Sequence, residues 1–213
     1  MKKRPFYPGD LRSVSPIGEE RPREALANGP VDPETVEKAR RGDPAAMDAL
    51  IRGVAPGVHR LALRLTADHD AAEDLTMEAL YRGSVKIGKL REPRAAGAWF
   101  RSTLLNLWRD RMRRARPGEL SLGDAPEPAE PIEDGPSALL DAEELREACA
   151  KALPLLPPAQ RAVLALVIDE GLTVTEVAAA LGTTTDRVKA NLWHGRRRLR
   201  ELLARFAEEE PRP

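Results

Sequence analysis

Hydrophobic positions along this chain recur at helical spacing and rarely at the alternation of a strand. Val58, Leu61, Ala62 and Leu65 fall at i, i+3, i+4 and i+7, one apolar stripe on one helix face. Ala72, Leu75 and Ala79 repeat the pattern in a helix beginning near Asp70, with Asp74 and Glu78 one turn apart on another face. Asp32-Pro33 and Asp43-Pro44 each set a capping carboxylate before a proline suited to the first helical position. Pro56 is expected to end or kink the helix that precedes it, because it lacks an N–H and its ring crowds the previous turn. Gly83, Gly88 and Pro93 bracket a predicted loop. A long helix follows from about Arg94 to Arg116, with Phe100, Leu104, Leu107 and Trp108 on its apolar face.

The last third reads as a compact helical module. Asp141 to Leu153 predicts one helix, Leu153 to Pro158 a turn, and Ala159 to Asp169 a second helix stopped by Gly171. Thr173 caps a short third helix holding Val177, Ala178 and Leu181; Gly182-Thr183-Thr184 turns the chain, and a fourth helix runs from near Thr185 to about Phe206. A short helix, a glycine turn and a longer basic helix make a helix-turn-helix. Its second helix presents Arg187, Lys189, Asn191 and His194 early, while Val188 and Leu192 point inward. Such donors and acceptors read base edges in the major groove, and the later Arg196, Arg197, Arg198 and Arg200 suit phosphate. The plain alternative is an arginine-rich solvated helix.

Composition agrees with an all-α fold of two small domains. Of 213 residues only 4% are aromatic and 32% are charged, which argues against a large β-sandwich or barrel. The net charge is zero, yet its distribution is not even. Arg101, Arg109, Arg111, Arg113, Arg114 and Arg116 face Asp110 alone; 117–145 is acidic without Lys or Arg; the sign flips again from Arg187 to Arg205. Residues 1–32, rich in Pro and Gly, read as a disordered or partner-dependent arm. The acidic, proline-rich 117–137 reads as a stiff linker, whose roughly 20 residues reach about 60 Å at about 3.1 Å each. That approaches two turns of DNA at about 34 Å per turn.

Other chemistries find little support. The single Cys149 excludes an intramolecular disulfide or a cysteine-based zinc site, and its three histidines lack metal spacing. Gly83 to Lys89 imitates a phosphate loop, but Leu90 replaces the magnesium-binding hydroxyl and a helix precedes it. No catalytic constellation stands out, and no cofactor is implied. No stretch is long and apolar enough to span a membrane, and Met1 to Arg4 lead into Pro5-Phe6-Tyr7-Pro8 rather than an apolar segment, so the cytoplasm is the expected location. The arginine run 109–116 suits a surface that tracks phosphates. Trp99, Phe100 and Trp108 beside it could stack bases, although each tryptophan taken alone is better read as core.

Taken together, the two halves resemble the extracytoplasmic-function (ECF) sigma factors, the smallest of the sigma-70 type. Asp70-Ala-Ala-Glu-Asp-Leu-Thr-Met-Glu-Ala-Leu80 is similar to the family's region 2 helix that docks on the polymerase clamp. Trp99-Phe100, Asn106, Asp110 and Arg113-Arg114 resemble the helix that meets the −10 element. Ala152 to Arg161, Glu170-Gly171-Leu172, Glu176-Val177-Ala178 and Val188-Lys189 resemble region 4, which reads the −35 element. The resemblance covers about 35–206. It departs at Met77, where the family usually has Gln, at Thr103 and Leu105 before Asn106, and at Ala190-Asn191-Leu192-Trp193-His194 in the recognition helix, which suggests an unusual −35 sequence or a weaker grip.

The resemblance implies a non-enzymatic initiation factor that binds core RNA polymerase and promoter DNA, with an anti-sigma factor as a further candidate partner. It divides the chain into region 2 at 33–116, the linker at 117–137 and region 4 at 138–213. It places Asp74, Met77, Glu78 and Tyr81 at polymerase. It places Lys89, Arg91, Arg94, Trp99, Asn106, Arg109, Arg113 and Arg114 at −10 DNA, where the loop 88–97 would capture a flipped base. It places Thr184, Arg187, Lys189, Asn191, Trp193, His194 and Arg197 at −35 DNA. The acidic linker would occupy the polymerase's nucleic-acid channel. The rivals are a helix-turn-helix regulator working without polymerase and a nucleotide-dependent enzyme resting on the imperfect phosphate loop.

Overall fold

A computed structural model describes residues 31–115, 148, 149 and 151–209, with side chains described as far as Phe206. The predicted linker 117–137, the arm before Val31 and most of the predicted helix 141–153 lie outside the described residues. Those described contain helices and no strand. The first domain comprises α1 (Pro33–Arg40), α2 (Pro44–Thr66), α3 (His69–Val85) and α4 (Ala96–Ala115). The second has α5 (Pro158–Leu164), which widens into a π-turn over Ala165–Asp169, then α6 (Val174–Leu181) and α7 (Thr185–Glu209).

Local chemistry sets most boundaries. Asp32 and Asp43 accept backbone N–H groups of their first turns, and Pro33 and Pro44 follow them. Thr173 and Glu176 form a reciprocal capping box at α6. Gly182 ends that helix with φ of +65°, a left-handed conformation open to glycine at little cost.

Three expectations are corrected. Pro56 lies inside α2, which runs on to Thr66. Both Pro56 and Arg52, whose carbonyl loses its helical partner, are exposed, so water can take the freed oxygen. Gly83 does not open a loop but sits buried within α3, against the ring of Phe100. The segment 86–95 that follows is not irregular throughout, for it holds two 3-10 turns, Ile87–Lys89 and Pro93–Ala95, before α4 starts at Ala96. Helix α3 begins at His69, because Asp68 supplies the cap by accepting the Ala71 N–H at 2.8 Å.

The predicted stripe of α2 is buried in full: Val58, Leu61, Ala62 and Leu65 are each at most 2% exposed. They meet Leu75 and Ala79 of α3 and Phe100 and Leu104 of α4 in one apolar cluster that continues into Ala162, Val163, Leu166, Val177 and Val188 of the second domain. Burying each large aliphatic side chain is worth about 1.5–3 kcal/mol, so this cluster carries most of the stability. The two domains therefore share a core.

Candidate nucleic-acid interface

Four surfaces carry the candidate residues. The first is the outer face of α3, where Met77, Tyr81 and Val85 are 68%, 70% and 66% exposed. Their i, i+4, i+8 spacing makes one apolar stripe along the helix. Asp74 is exposed near its start, whereas Glu78 is held by Arg82 of the same helix at 2.5 Å and by Arg111 of α4 at 2.6 Å. Sequence reasoning named Met77 and Tyr81 but missed Val85. Its signal was there in the four-residue repeat, on the face opposite Ala72, Leu75 and Ala79.

The second surface is the segment between α3 and α4. Ile87 and Leu90 are buried and anchor it, which leaves Lys89, Arg91 and Arg94 exposed. Gly88 has open space where a side chain would stand.

The third is α4, and here the candidates separate. Trp99 is 7% exposed and its Nε1–H donates to the Gly83 carbonyl at 3.1 Å. The indole is a core side chain here, and its polar edge is already satisfied. Trp108, 2% exposed, is core as well. Asn106 is half-buried, and Arg114 is exposed. Arg113 pairs with Asp110 one turn earlier. Arg109 turns to the second domain and donates from Nη1 to the Ala180 carbonyl at 2.8 Å. Burial, with Arg113 nearby, lowers its pKa from the ordinary arginine value.

The fourth surface is the start of α7. Thr184 accepts the Arg187 N–H at 3.3 Å, the geometry of a helix cap. Lys189 is exposed, 3.9 Å from Asp186. Asn191 is only 8% exposed, and its amide donates to the Arg187 carbonyl at 2.9 Å. The side chain thus folds back on its own helix. Trp193 and His194 meet edge to face at 4.8 Å, and the Arg197 guanidinium lies 5.5 Å from the indole centre while Nε bonds Glu201 at 2.9 Å. Trp193, His194 and Arg197 thus form one partly exposed cluster beyond Lys189.

Sequence reasoning missed a set of contacts between the domains. Arg161 of α5 is 7% exposed and reaches the end of α2, Arg101 pairs with Glu170 at 2.8 Å, and Arg64 lies 3.5 Å from Asp169. Burial raises the pKa of Asp169 and of Glu170, outweighing the attraction of Arg64 and Arg101. No single-residue signal marks such pairs in a sequence, since the partners lie about seventy to a hundred positions apart. Among the described residues no group of three His, Cys, Asp or Glu could hold a metal, and no helix is long and apolar enough to cross a membrane.

Comparison with known proteins bears on both domains. Residues 50–117 match the family model of sigma-70 region 2, and residues 152–201 match that of sigma-70 region 4. The ECF RNA polymerase sigma factor SigE of Mycolicibacterium smegmatis is 34% identical over 174 residues, covering 79% of this chain and 66% of that protein. SigM of Mycobacterium tuberculosis, another ECF RNA polymerase sigma factor, is 30% identical and covers 81% of this chain and 84% of its own. A solved structure of the sigma factor RpoE from Bartonella quintana, in complex with the anti-sigma factor NepR, aligns at TM-score 0.50 and 26% identity, over 72% of this chain and 94% of that one.

Proposed function

The chain belongs to the ECF sigma factors of the sigma-70 family, which bind core RNA polymerase and direct promoter-specific initiation, and from that premise we propose how its surfaces divide the work. The outer face of α3 docks on the polymerase: Met77, Tyr81 and Val85 supply apolar area, Asp74 adds charge, and Glu78 ties the helix to α4. Exposed apolar area of this kind marks an interaction surface. Lys89, Arg91 and Arg94 meet the melted −10 strand, with Asn106, Arg109, Arg113 and Arg114 behind them. Holding one base out of the stack costs a few kcal/mol, which a cationic track and a pocket offset. Thr184, Arg187, Lys189 and the Trp193–His194–Arg197 cluster meet the −35 duplex.

The chain carries no chemistry of its own. It works in the cytoplasm, where the polymerase performs the synthesis. The Bartonella relative was solved with an anti-sigma factor, and an anti-sigma factor is a candidate partner here as well. The observation that carries this division is the exposed stripe on α3 directly before a segment with three exposed cations, docking and strand capture on one small domain. Reconstitution with bacterial core polymerase tests it. Run-off transcription from promoters recovered with the holoenzyme should depend on the chain, and Met77→Ala with Tyr81→Ala should weaken polymerase binding. A chain that binds those promoters equally well without polymerase would favour the independent regulator instead.

A further inference from the structure

We propose that Trp99 acts on the −10 strand without touching it, as a brace that sets the aim of the cationic segment 86–95. That role rests on the reading above that Lys89, Arg91 and Arg94 capture the melted strand, and it names what holds them in place. The segment leaves α3 after Val85 and enters α4 at Ala96. Gly83 lies in the last turn of α3 and Trp99 in the first turn of α4. The bond from the indole Nε1–H to the Gly83 carbonyl, 3.1 Å long, therefore joins the two ends of the segment across sixteen positions.

Local chemistry makes this joint a pinned one. The last four carbonyls of a helix have no partner within it, and that of Gly83 is among them. Tryptophan suits such a carbonyl because its indole N–H can only donate, from the edge of a large apolar ring. The ring is 7% exposed and still delivers its donor to another helix. Phe100 closes the same joint from beside it, for a Cβ on Gly83 would stand 2.4 Å from its ring. Between the two ends Ile87 and Leu90 are buried, and the 3-10 turns Ile87–Lys89 and Pro93–Ala95 order the backbone. Lys89, Arg91 and Arg94 thus stand exposed on a segment fixed at both feet.

Capture of an unstacked base rewards such fixing. A long cationic side chain loses rotamer freedom on binding, and a loop that must also be ordered loses more. A brace already made in the free chain removes the second cost. Without it the segment leaves α3 at several angles, and only a fraction of chains present the three cations together. Apparent affinity falls by that fraction, so one chain in about ten means a loss of about tenfold. The docking face of α3 and the start of α7 are untouched by the change.

Trp99→Phe tests the brace, since it keeps a buried aromatic ring and deletes the donor. Reconstituted with core polymerase, the full-length variant should bind a single-stranded oligonucleotide carrying a recovered −10 sequence about tenfold more weakly than the parent. It should also discriminate less against a scrambled sequence, while its affinity for core polymerase stays unchanged. In the free chain, amide exchange followed by mass spectrometry should quicken over 86–95 and not over the core of α2. Val58→Ala, a truncation in that core, is the comparison: it should quicken exchange in α2 and leave oligonucleotide affinity at the parent's value. Exchange over 86–95 as slow in Trp99→Phe as in the parent overturns the brace. Faster exchange there with full oligonucleotide affinity overturns its part in capture, as does an equal loss of affinity in Val58→Ala. Binding as tight as the parent's by Arg91→Ala with Arg94→Ala overturns the reading of the segment itself, while exchange still decides the brace.

Discussion

Gly83 offers a sharp test of how the polymerase-facing helix is seated. A methyl group added there would stand 2.4 Å from Phe100 Cε1 and 2.5 Å from Cδ1. Carbon pairs rest at about 3.5–4.0 Å, so two ring atoms would be about 1 Å too close. The Phe100 ring is fully buried and has no open side to move toward. Overpacking of a filled core costs about 1–3 kcal/mol, and the upper end applies where the ring is enclosed. Replacing a helical glycine by alanine returns up to about 1 kcal/mol through propensity. The net expectation for Gly83→Ala is a loss of about 2 kcal/mol, or about 4–8 °C in Tm for a chain of this length. Urea denaturation followed by tryptophan fluorescence measures it, and Trp99, bonded to the Gly83 carbonyl, reports locally. In a Phe100→Leu background the penalty should shrink by about 1 kcal/mol or more, a coupling the double-mutant cycle isolates. A neutral or stabilising Gly83→Ala in the parent would refute the reasoning, because α3 and α4 would then not be sealed at this point.

Three further outcomes follow from the candidate surfaces. Lys189→Ala in the holoenzyme should weaken −35 protection in footprinting by about 1–3 kcal/mol and flatten its salt dependence; unchanged protection at every salt concentration would remove α7 from the duplex. Arg91→Ala with Arg94→Ala should leave circular dichroism and polymerase binding intact yet lower permanganate reactivity of −10 thymines, and a pre-melted template should restore transcription; equal loss on both templates would assign the segment to something other than opening. Glu170, its pKa raised by burial despite Arg101 and Arg60, binds its proton more tightly when the domains are docked. Docking should thus strengthen as pH falls through that raised value and be at full strength below the free-carboxyl value, and Glu170→Gln should keep the compact form at neutral pH while removing this part of the pH dependence in scattering.

Periodicity and capping made the helices legible, because both depend on neighbours within a few positions. The stripe of α2, the caps Asp32, Asp43 and Thr173, and the glycine at 182 needed nothing from the rest of the fold. Pro56 does not end α2, the first of the two effects expected of it, because it lies on an exposed face where water can take the carbonyl that the ring orphans. Gly83 was misread because the ring it accommodates lies on another helix. Among the candidate site residues, Lys89, Arg91, Arg94 and Lys189 are exposed. Trp99 and Asn191 are buried, and each donates to a backbone carbonyl. Residue type suggested what they could bind; only packing shows that they are already bound.

The same distinction bears on the edge of α4 that meets the second domain. Its inner face is fixed by Phe100, Leu104, Leu107 and Trp108, so the helix cannot rotate to offer its cations elsewhere. Arg101 and Arg109 are eight residues apart, about 12 Å along the axis and about 80° around it, close enough to form one edge. Arg111 is turned the other way and holds Glu78 beneath the polymerase-facing stripe. A ligand for the Arg101–Arg109 edge must therefore compete with Glu170 and the Ala180 carbonyl rather than add to them.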